Sequence, residues 1–354
     1  MSTQRRPDFM LDRPGVLIAA LPAVLGFVPE RSLVLVTAAG GEMGAVMRAD
    51  LDADLRREAG GDPLNDLAEL AAASRAEIAI AVIVDDEGAG CALCADEYRG
   101  LARALAVTLA RQDVELVAVH VVDKIAVGGQ WYCADGCGDT GVVEDPAASP
   151  IAAAAVLDGR RLYTRRSELV AVVAPVDPER RAALGRAIEQ AGAVALERPD
   201  SQARGDVEHA MACAGQIGGG RPLVDGQLVR VAVALTDPRV RDTLYALAVG
   251  DYAGPAETLW ADLARRLPEP WRVEALVLLA FSAYARGDGP LAGIALDAAL
   301  SDTPAHRMAG MLDTALQSGM RPEQIRELAG TGYRLAEQLG VRLPPKKRFG
   351  RRAG

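Results

Sequence analysis

Charged side chains follow three apolar stretches of the sequence that are typical of β-strands. In an open α/β sheet, ligands bind outside the carboxyl ends of the parallel strands, where such side chains would converge. Carboxylates gathered there could hold Mg²⁺ or act as general acid and base. The residues predicted to line this ligand crevice are Arg48, Asp50, Asp85, Asp86, His120, Asp123, Lys124 and Trp131.

A structural explanation fits the same carboxylates, because Asp is common in the turns that follow strands. The strand around Met47 is expected to run antiparallel, which could place Arg48 and Asp50 at the opposite edge of the sheet. If the crevice is functional, replacing Asp85 or Asp123 with Ala should abolish ligand binding or activity. The melting temperature should then stay within a few degrees.

Four of the five cysteines form two close pairs, Cys91-x2-Cys94 and Cys133-x3-Cys137. Four thiolates could form a tetrahedral Zn²⁺ site, although the second spacing departs from that of compact zinc ribbons. Cys91 and Cys94 also lie at the start of a predicted helix, where the helix dipole lowers a thiol pKa. Redox chemistry is therefore a second alternative, and ordinary reduced thiols are the third.

Histidine and aromatic residues are scarce, so His120 and Trp131 stand out near the end of the third predicted strand. The chain has 3 His, and 4% of its residues are aromatic. His120 could face the crevice or be a satisfied core residue, and Trp131 could offer a stacking surface or cap the sheet. The sequence has no Gly-x-Ser-x-Gly elbow and no Walker A loop, which argues against an α/β-hydrolase and a P-loop enzyme.

Alternating strand and helix patterns predict an α/β domain that would position these groups. Continuous apolar runs at residues 78–84 and 116–122 are typical of strands that are buried on both faces. The other predicted elements are strands at 32–37 and 43–47, helices at 65–76 and 94–111, and an edge hairpin at 130–133 and 141–143. The order of strands and helices implies right-handed crossovers, and therefore a mostly parallel sheet with an antiparallel hairpin.

Helical patterns separated by Pro or Gly replace the strands after residue 145. The sequence thus predicts an α/β domain over residues 1–145, an all-α helical array over 146–342 and a basic flexible tail over 343–354. Small residues around Leu279 and Leu296 are spaced like those of one tetratricopeptide unit. Because a solenoid needs about three units, this stretch is either a tetratricopeptide-like hairpin with a groove for a peptide or a plain helical hairpin.

Composition and charge narrow the class of protein. The 354-residue chain has a net charge of −9, and its basic end is too short to outweigh the acidic body, so nucleic-acid binding is not expected. The sequence contains no signal-peptide pattern and no apolar run long enough to cross a bilayer. It therefore predicts a cytoplasmic protein without a membrane segment, and it leaves the oligomeric state open.

Several blocks of the sequence resemble one protein family. The Leu-Gly-Phe-x-Pro-x-x-Ser block at residues 25–32 and the Arg-x-Asp-Leu block at 48–51 resemble the opening of the actinobacterial "domain of unknown function 4192" family. Trp131 and Cys133 are similar to the Trp and Cys that come before a short Cys-containing loop there. That loop often carries Cys-Cys-Pro, whereas this chain has Gly136-Cys137-Gly138, so the resemblance supports no thiol or metal role. It implies an actinobacterial cytoplasmic protein and transfers no activity.

Two functions fit these features. The favoured one is a ligand-responsive or scaffolding protein that binds a protein partner through its helical half, because no nucleophile, base or cofactor motif is complete. The alternative is an enzyme with a carboxylate site at the strand ends. Zn²⁺ at the cysteines and Mg²⁺ at the carboxylates are the cofactors that these residues would suit.

Overall fold

The computed structural model describes residues 13–52, 55, 61–157, 162–193 and 199–346. Within it the chain forms two compact units. The first runs to Arg166, and the second comprises Ser167–Leu316 and the residues from Met320 onward. The predicted boundary at residue 145 stays a prediction. Apart from Lys346, the cations of the predicted basic tail lie outside the described residues.

The first unit is built on a six-stranded sheet in the order β2-β1-β3-β4-β5-β6. The strands are β1 (Ser32–Ala39), β2 (Glu42–Asp50), β3 (Ile78–Val84), β4 (Glu115–Val122), β5 (Gln130–Cys133) and β6 (Thr140–Val142). β3 and β4 pair in parallel, whereas the other neighbours in this sheet pair antiparallel. The sheet is therefore mixed, and the expectation of a mostly parallel sheet is wrong.

The lengths of the connections explain this correction. A two-residue turn, Gly40-Gly41, joins β1 to β2, and both glycines have the positive φ that this tight antiparallel turn requires. The link from β4 to β5 is also too short for a parallel crossover, which takes a dozen or more residues. Between β3 and β4 a long helix provides the crossover. This pair is therefore the one parallel pair among the described strands.

The directions of the strands bring several carboxyl ends to one edge of the sheet. β1 is antiparallel to both of its neighbours, and Ser32 at its start pairs with Asp50 of β2 and with Val84 of β3. β4 ends at the same edge, because Val84 pairs in parallel with Val122. We call this edge the carboxyl edge. Arg48 and Asp50 therefore lie near it and not at the opposite edge.

Helices cover the sheet. In this unit they are α1 (Pro14–Leu25), α2 (Gly61–Ala73), α3 (Ala92–Ala110) and α4 (Pro150–Leu157). Alternate residues of β1 and β3, such as Leu33, Leu35 and Ile83, form one core with apolar residues of α2 and α3. Each such side chain contributes about 1.5–3 kcal/mol when it is fully buried. α1 packs against α4, and Gly15 of α1 lies against Val142 of β6.

The described residues of the second unit form helices and no strand, as the sequence predicted. Its helices are α5 (Arg166–Ala171, which starts at the last residue of the first unit), α6 (Pro178–Ala193), α7 (Asp200–Gly218), α8 (Asp225–Leu235), α9 (Pro238–Leu244), α10 (Ala253–Arg266), α11 (Arg272–Arg286), α12 (Gly289–Asp302), α13 (Arg307–Gln317) and α14 (Pro322–Leu339). α11 and α12 pack closely as a hairpin. Gly287 ends α11 with a φ of 89°, and the Asp288 side chain caps α12 by accepting from the Leu291 N–H. The tetratricopeptide-like character of this hairpin stays a prediction.

Candidate functional site

Arg48 and Asp50 are bound to each other at the carboxyl edge. The Arg48 guanidinium pairs with the Asp50 carboxylate, and its Nε donates to Ser32 Oγ at 2.8 Å. The same guanidinium lies 5.9 Å from the centre of the Phe27 ring, within cation–π distance. The Arg48 side chain is 12% exposed and that of Asp50 is 68% exposed. Arg48 therefore ties β2 to β1, while the Asp50 carboxylate stays open to solvent.

Asp85 is fully buried just after β3. Its carboxylate accepts from the Tyr98 hydroxyl of α3 at 2.7 Å and from the Glu87 N–H at 3.2 Å. Its own N–H donates to Val122 O at 3.0 Å, which continues the pairing of β3 with β4. Asp85 therefore fixes the loop between β3 and α3 and ties that loop to the helix.

Asp123 performs a similar task after β4. Its Oδ1 accepts from the Lys124 N–H at 2.6 Å and from the Gln130 N–H at 2.7 Å, which closes the loop between β4 and β5. Asp86 and Lys124 are exposed. The predicted crevice residues thus share one edge of the sheet, but the described hydrogen bonds hold them in three separate local groups. A shared ligand crevice stays a prediction.

His120, Trp131 and Cys133 lie together on the β4–β5 ladder. His120 pairs across it with Cys133, and the His120 and Trp131 rings meet edge to face with their centres 5.3 Å apart. His120 is 4% exposed and Trp131 is 9% exposed. Among the described residues, His120 Nδ1 and Trp131 Nε1 are buried without a hydrogen-bond partner. The side chains that sequence analysis placed at an open crevice are thus largely covered.

We expect His120 to be neutral at physiological pH. Burial lowers the pKa of its imidazole, and the Asp135 and Asp139 carboxylates oppose this shift. Because the folded pKa lies below the unfolded value, the stability contribution is complete above about pH 6.5 and is lost as the pH falls toward the folded pKa. The slope is at most about 1.4 kcal/mol per pH unit.

The imidazole resonances can be followed by NMR across this pH range, with His120→Gln to assign the peak. The His120 resonance should titrate below the ordinary value of 6.5. His209, whose pKa is also lowered by burial, serves as an internal comparison in the helical unit. A His120 resonance that titrates at or above the ordinary value would contradict the buried, neutral state.

A cluster of three metal-ligand side chains lies in the loop between β5 and β6. Three atoms lie within 4.8 Å of one another: the sulfur of Cys133, the sulfur of Cys137 and a carboxylate oxygen of Asp135. Cys133 is buried at the end of β5, whereas Asp135 and Cys137 are exposed. Gly136 and Gly138 have φ values of 91° and 86°, which only glycine adopts readily, and they curl the loop so that the three side chains meet.

Burial and contacts within this cluster set the protonation states of its side chains. The Cys137 N–H donates to Asp135 Oδ1 at 2.8 Å, and this bond lowers the pKa of the Asp135 carboxyl group. Burial raises the pKa of the Cys133 thiol to about 12, and a hydrogen bond to Asp135 adds to the shift. The Cys133 thiol is therefore protonated at neutral pH, and the carboxylate beside it is ionised.

The other cysteine pair lies at the start of α3. Each of the Cys91 and Cys94 thiols influences the pKa of the other, and both cysteines are partly exposed. Among the described residues, the cluster of possible metal ligands contains Cys133 and Cys137 but neither of these two. Sequence analysis missed Asp135 as a member of the cluster. The alternation Cys133-x-Asp135-x-Cys137 was the signal that could have revealed it.

No described helix has both the length and the apolar character that crossing a bilayer would require. The fold and the cluster define a two-unit protein in which a mixed α/β sheet with a thiol–carboxylate loop is followed by a helical array. The chain belongs to the family described as "Domain of unknown function (DUF4192)", which it matches over residues 14–323. This confirms the family resemblance in the sequence, while the actinobacterial origin stays a prediction. No curated protein and no solved structure matches the chain.

Proposed function

We propose that this protein is a metal-responsive binding protein whose α/β unit takes up a zinc-class ion at Cys133, Asp135 and Cys137. The observation that carries the proposal is the convergence of three donor atoms within 4.8 Å in one loop. Thiolate sulfur and carboxylate oxygen are both Zn²⁺ ligands, and three protein ligands leave a fourth position for water or another ligand. This is the ligand-responsive function expected from the sequence, with the ligand specified.

The donor atoms favour zinc over magnesium. Two sulfurs and one oxygen form a soft set that suits Zn²⁺, whereas Mg²⁺ prefers oxygen ligands and keeps several waters. A bound ion would take the place of the thiol protons of Cys133 and Cys137, both of which interact with Asp135. Metal uptake is therefore expected to release protons and to become tighter as the pH rises.

Removing one donor should remove the metal. We expect the reduced full-length protein, loaded with Zn²⁺ and dialysed, to retain about one ion per chain. Cys137→Ser and Asp135→Asn should each weaken binding at least about tenfold. The measurements are metal analysis by mass spectrometry and titration calorimetry with Zn²⁺ alone.

Two control variants make this experiment selective. Asp139→Asn changes an exposed carboxylate in the same loop that is not a member of the cluster, and it should retain the ion. Cys94→Ser should also retain it, whereas its failure to do so would favour the four-thiolate site expected from the sequence. A reduced, folded wild-type protein that binds no zinc in the calorimeter would refute the proposal.

A binding protein is favoured over the enzyme alternative by the carboxylates at the carboxyl edge. Asp85 and Asp123 already accept hydrogen bonds that hold their own loops, so catalysis would compete with their structural tasks. The scaffolding part of the expectation assigns a protein partner to the helical unit. It stays a prediction, and the exposed apolar side chains Met311 and Leu328 are the first residues to substitute in testing it.

A further inference from the structure

The cysteine pair at the start of α3 is not used by the proposed metal site. Cys91 is the N-cap of this 19-residue helix, and Cys94 lies in its first turn. Both cysteines are free and partly exposed, and each thiol influences the pKa of the other. The two thiols are therefore neighbours at the start of one helix, and reagents in solution can reach both of them.

The place of this pair in the fold is the second observation. β3, α3 and β4 form a parallel strand–helix–strand unit, and the Cys-x-x-Cys segment lies where the chain enters the helix. A Cys-x-x-Cys segment beside such a unit is typical of dithiol redox sites. The orientation of the helix explains why, since its unsatisfied N–H groups and its dipole stabilise a thiolate there.

The two thiols differ in character. The Cys94 N–H and thiol and the Leu93 N–H favour the thiolate form of Cys91 and lower its pKa. The neighbouring Cys91 sulfur raises the pKa of Cys94, and burial adds to this shift. This asymmetry suits Cys91 to attack and Cys94 to resolve.

Charged and titratable groups reach the pair from several elements. Glu97 of α3 acts on both thiols, and Asp85 after β3 acts on Cys94. The pKa of the Tyr132 hydroxyl on β5 is raised mainly because the group is buried. Both thiols also interact with it electrostatically. Leu93, between the two cysteines, is 79% exposed and gives an approaching molecule an apolar contact.

We propose that Cys91 and Cys94 are a dithiol–disulfide pair that exchanges electrons with low-molecular-weight disulfides. The Cys91 thiolate attacks one sulfur of the external disulfide, whose S–S bond breaks and releases one thiolate with the electron pair. That thiolate takes the Cys94 proton. The Cys94 thiolate then attacks the Cys91 sulfur, closes the internal disulfide and expels the second external thiolate. The protein loses two electrons, and the external disulfide gains them.

The experiment uses the full-length, metal-free protein in mixtures of glutathione and glutathione disulfide. Samples are trapped with an alkylating reagent and mapped by peptide mass spectrometry. The expected result is a reversible Cys91–Cys94 disulfide whose fraction follows the glutathione ratio. Disulfide formation between Cys133 and Cys137 instead, or glutathione adducts without an internal link, would overturn the proposal.

Single variants separate the attacking thiol from the resolving thiol. Cys94→Ser should accumulate glutathione bound to Cys91, whereas Cys91→Ser should react at Cys94 at least about tenfold more slowly. Cys94→Ala removes a thiol that lowers the pKa of Cys91 and should raise the pH at which Cys91 becomes reactive. Equal reactivity of the two thiols in folded variants, judged by circular dichroism, would refute the assignment.

The metal site and the redox pair can fail independently. Cys137→Ser, which should lose zinc, should leave the Cys91–Cys94 exchange unchanged. If zinc protects Cys91 and Cys94 from oxidation in the wild-type protein, the two pairs share one metal site and the redox proposal is wrong.

Discussion

Replacing Asp85 with Ala is expected to lower the free energy of unfolding of the α/β unit by about 2–4 kcal/mol, since hydrogen bonds to a buried carboxylate are worth about 1.5–3 kcal/mol each. The substitution removes the carboxylate to which the Tyr98 hydroxyl and the Glu87 N–H donate. Space is tight as well, because a Cβ added at Gly88 would lie 1.8 Å from the Tyr98 hydroxyl oxygen. Gly88→Ala should therefore destabilise the same loop.

Thermal and urea unfolding of the intact protein will measure this loss, with an expected fall in Tm of roughly 5–15 °C. Asp86→Ala, one residue along and exposed, is the matched control and should change stability by less than about 0.5 kcal/mol. Asp85→Asn should cost less than Ala because its amide oxygen can still accept from Tyr98. If Asp85→Ala melts like the wild-type protein and loses a ligand or activity instead, the catalytic interpretation from the sequence is right.

Arg272 is expected to be the costliest charged residue to replace in the helical unit. It is 4% exposed at the start of α11, and its Nη2 donates to Val173 O at 2.9 Å. Its Nε lies 3.4 Å from Oδ2 of Asp302, which is also largely buried. Burial lowers the pKa of Arg272 and raises that of Asp302, and their mutual attraction opposes both shifts. Arg272→Met should cost about 3–5 kcal/mol, because it leaves a carboxylate buried without its counter-ion.

A double-mutant cycle with Asp302→Ala will test this assignment by urea unfolding. The double variant should be more stable than the sum of the two single losses predicts, since it removes both charges together. Arg204 and Glu208 of α7 form an exposed pair one turn apart and provide the control cycle. Their coupling should stay below about 0.5 kcal/mol. Additive losses at Arg272 and Asp302 would show that this buried pair is not coupled.

Much of the element order was predictable because it depends on local patterns. The apolar runs that became β3 and β4, and the helical periodicity between them, each point to one structure with little competition. The direction of β1 was not predictable in the same way. A continuous apolar strand looks alike in either direction, so the antiparallel pairing of β1 with β3 depends on contacts far apart in the sequence.

In the candidate sites too, local spacing was predictable from the sequence, whereas contacts set by the fold were not. Sequence reasoning selected Cys133 and Cys137 from their spacing, but the contribution of Asp135 depends on how two left-handed glycines curl the loop. It also grouped Asp85 with Asp123, because both follow strands that end at one edge. The Tyr98 hydroxyl donates to Asp85 from a position thirteen residues further along the chain, within α3. No spacing rule indicated this contact.

The two outer strands of the sheet differ in length, and the longer one offers more backbone for pairing with a strand of another molecule. β2 has 9 residues and β6 has 3, so an incoming extended segment would gain more main-chain hydrogen bonds along β2. Glu42 and the ion-paired Arg48 and Asp50 place charges on that strand, which disfavour stacking of a second copy. Neutralising the exposed carboxylates of Glu42 and Asp50 would therefore promote aggregation through β2.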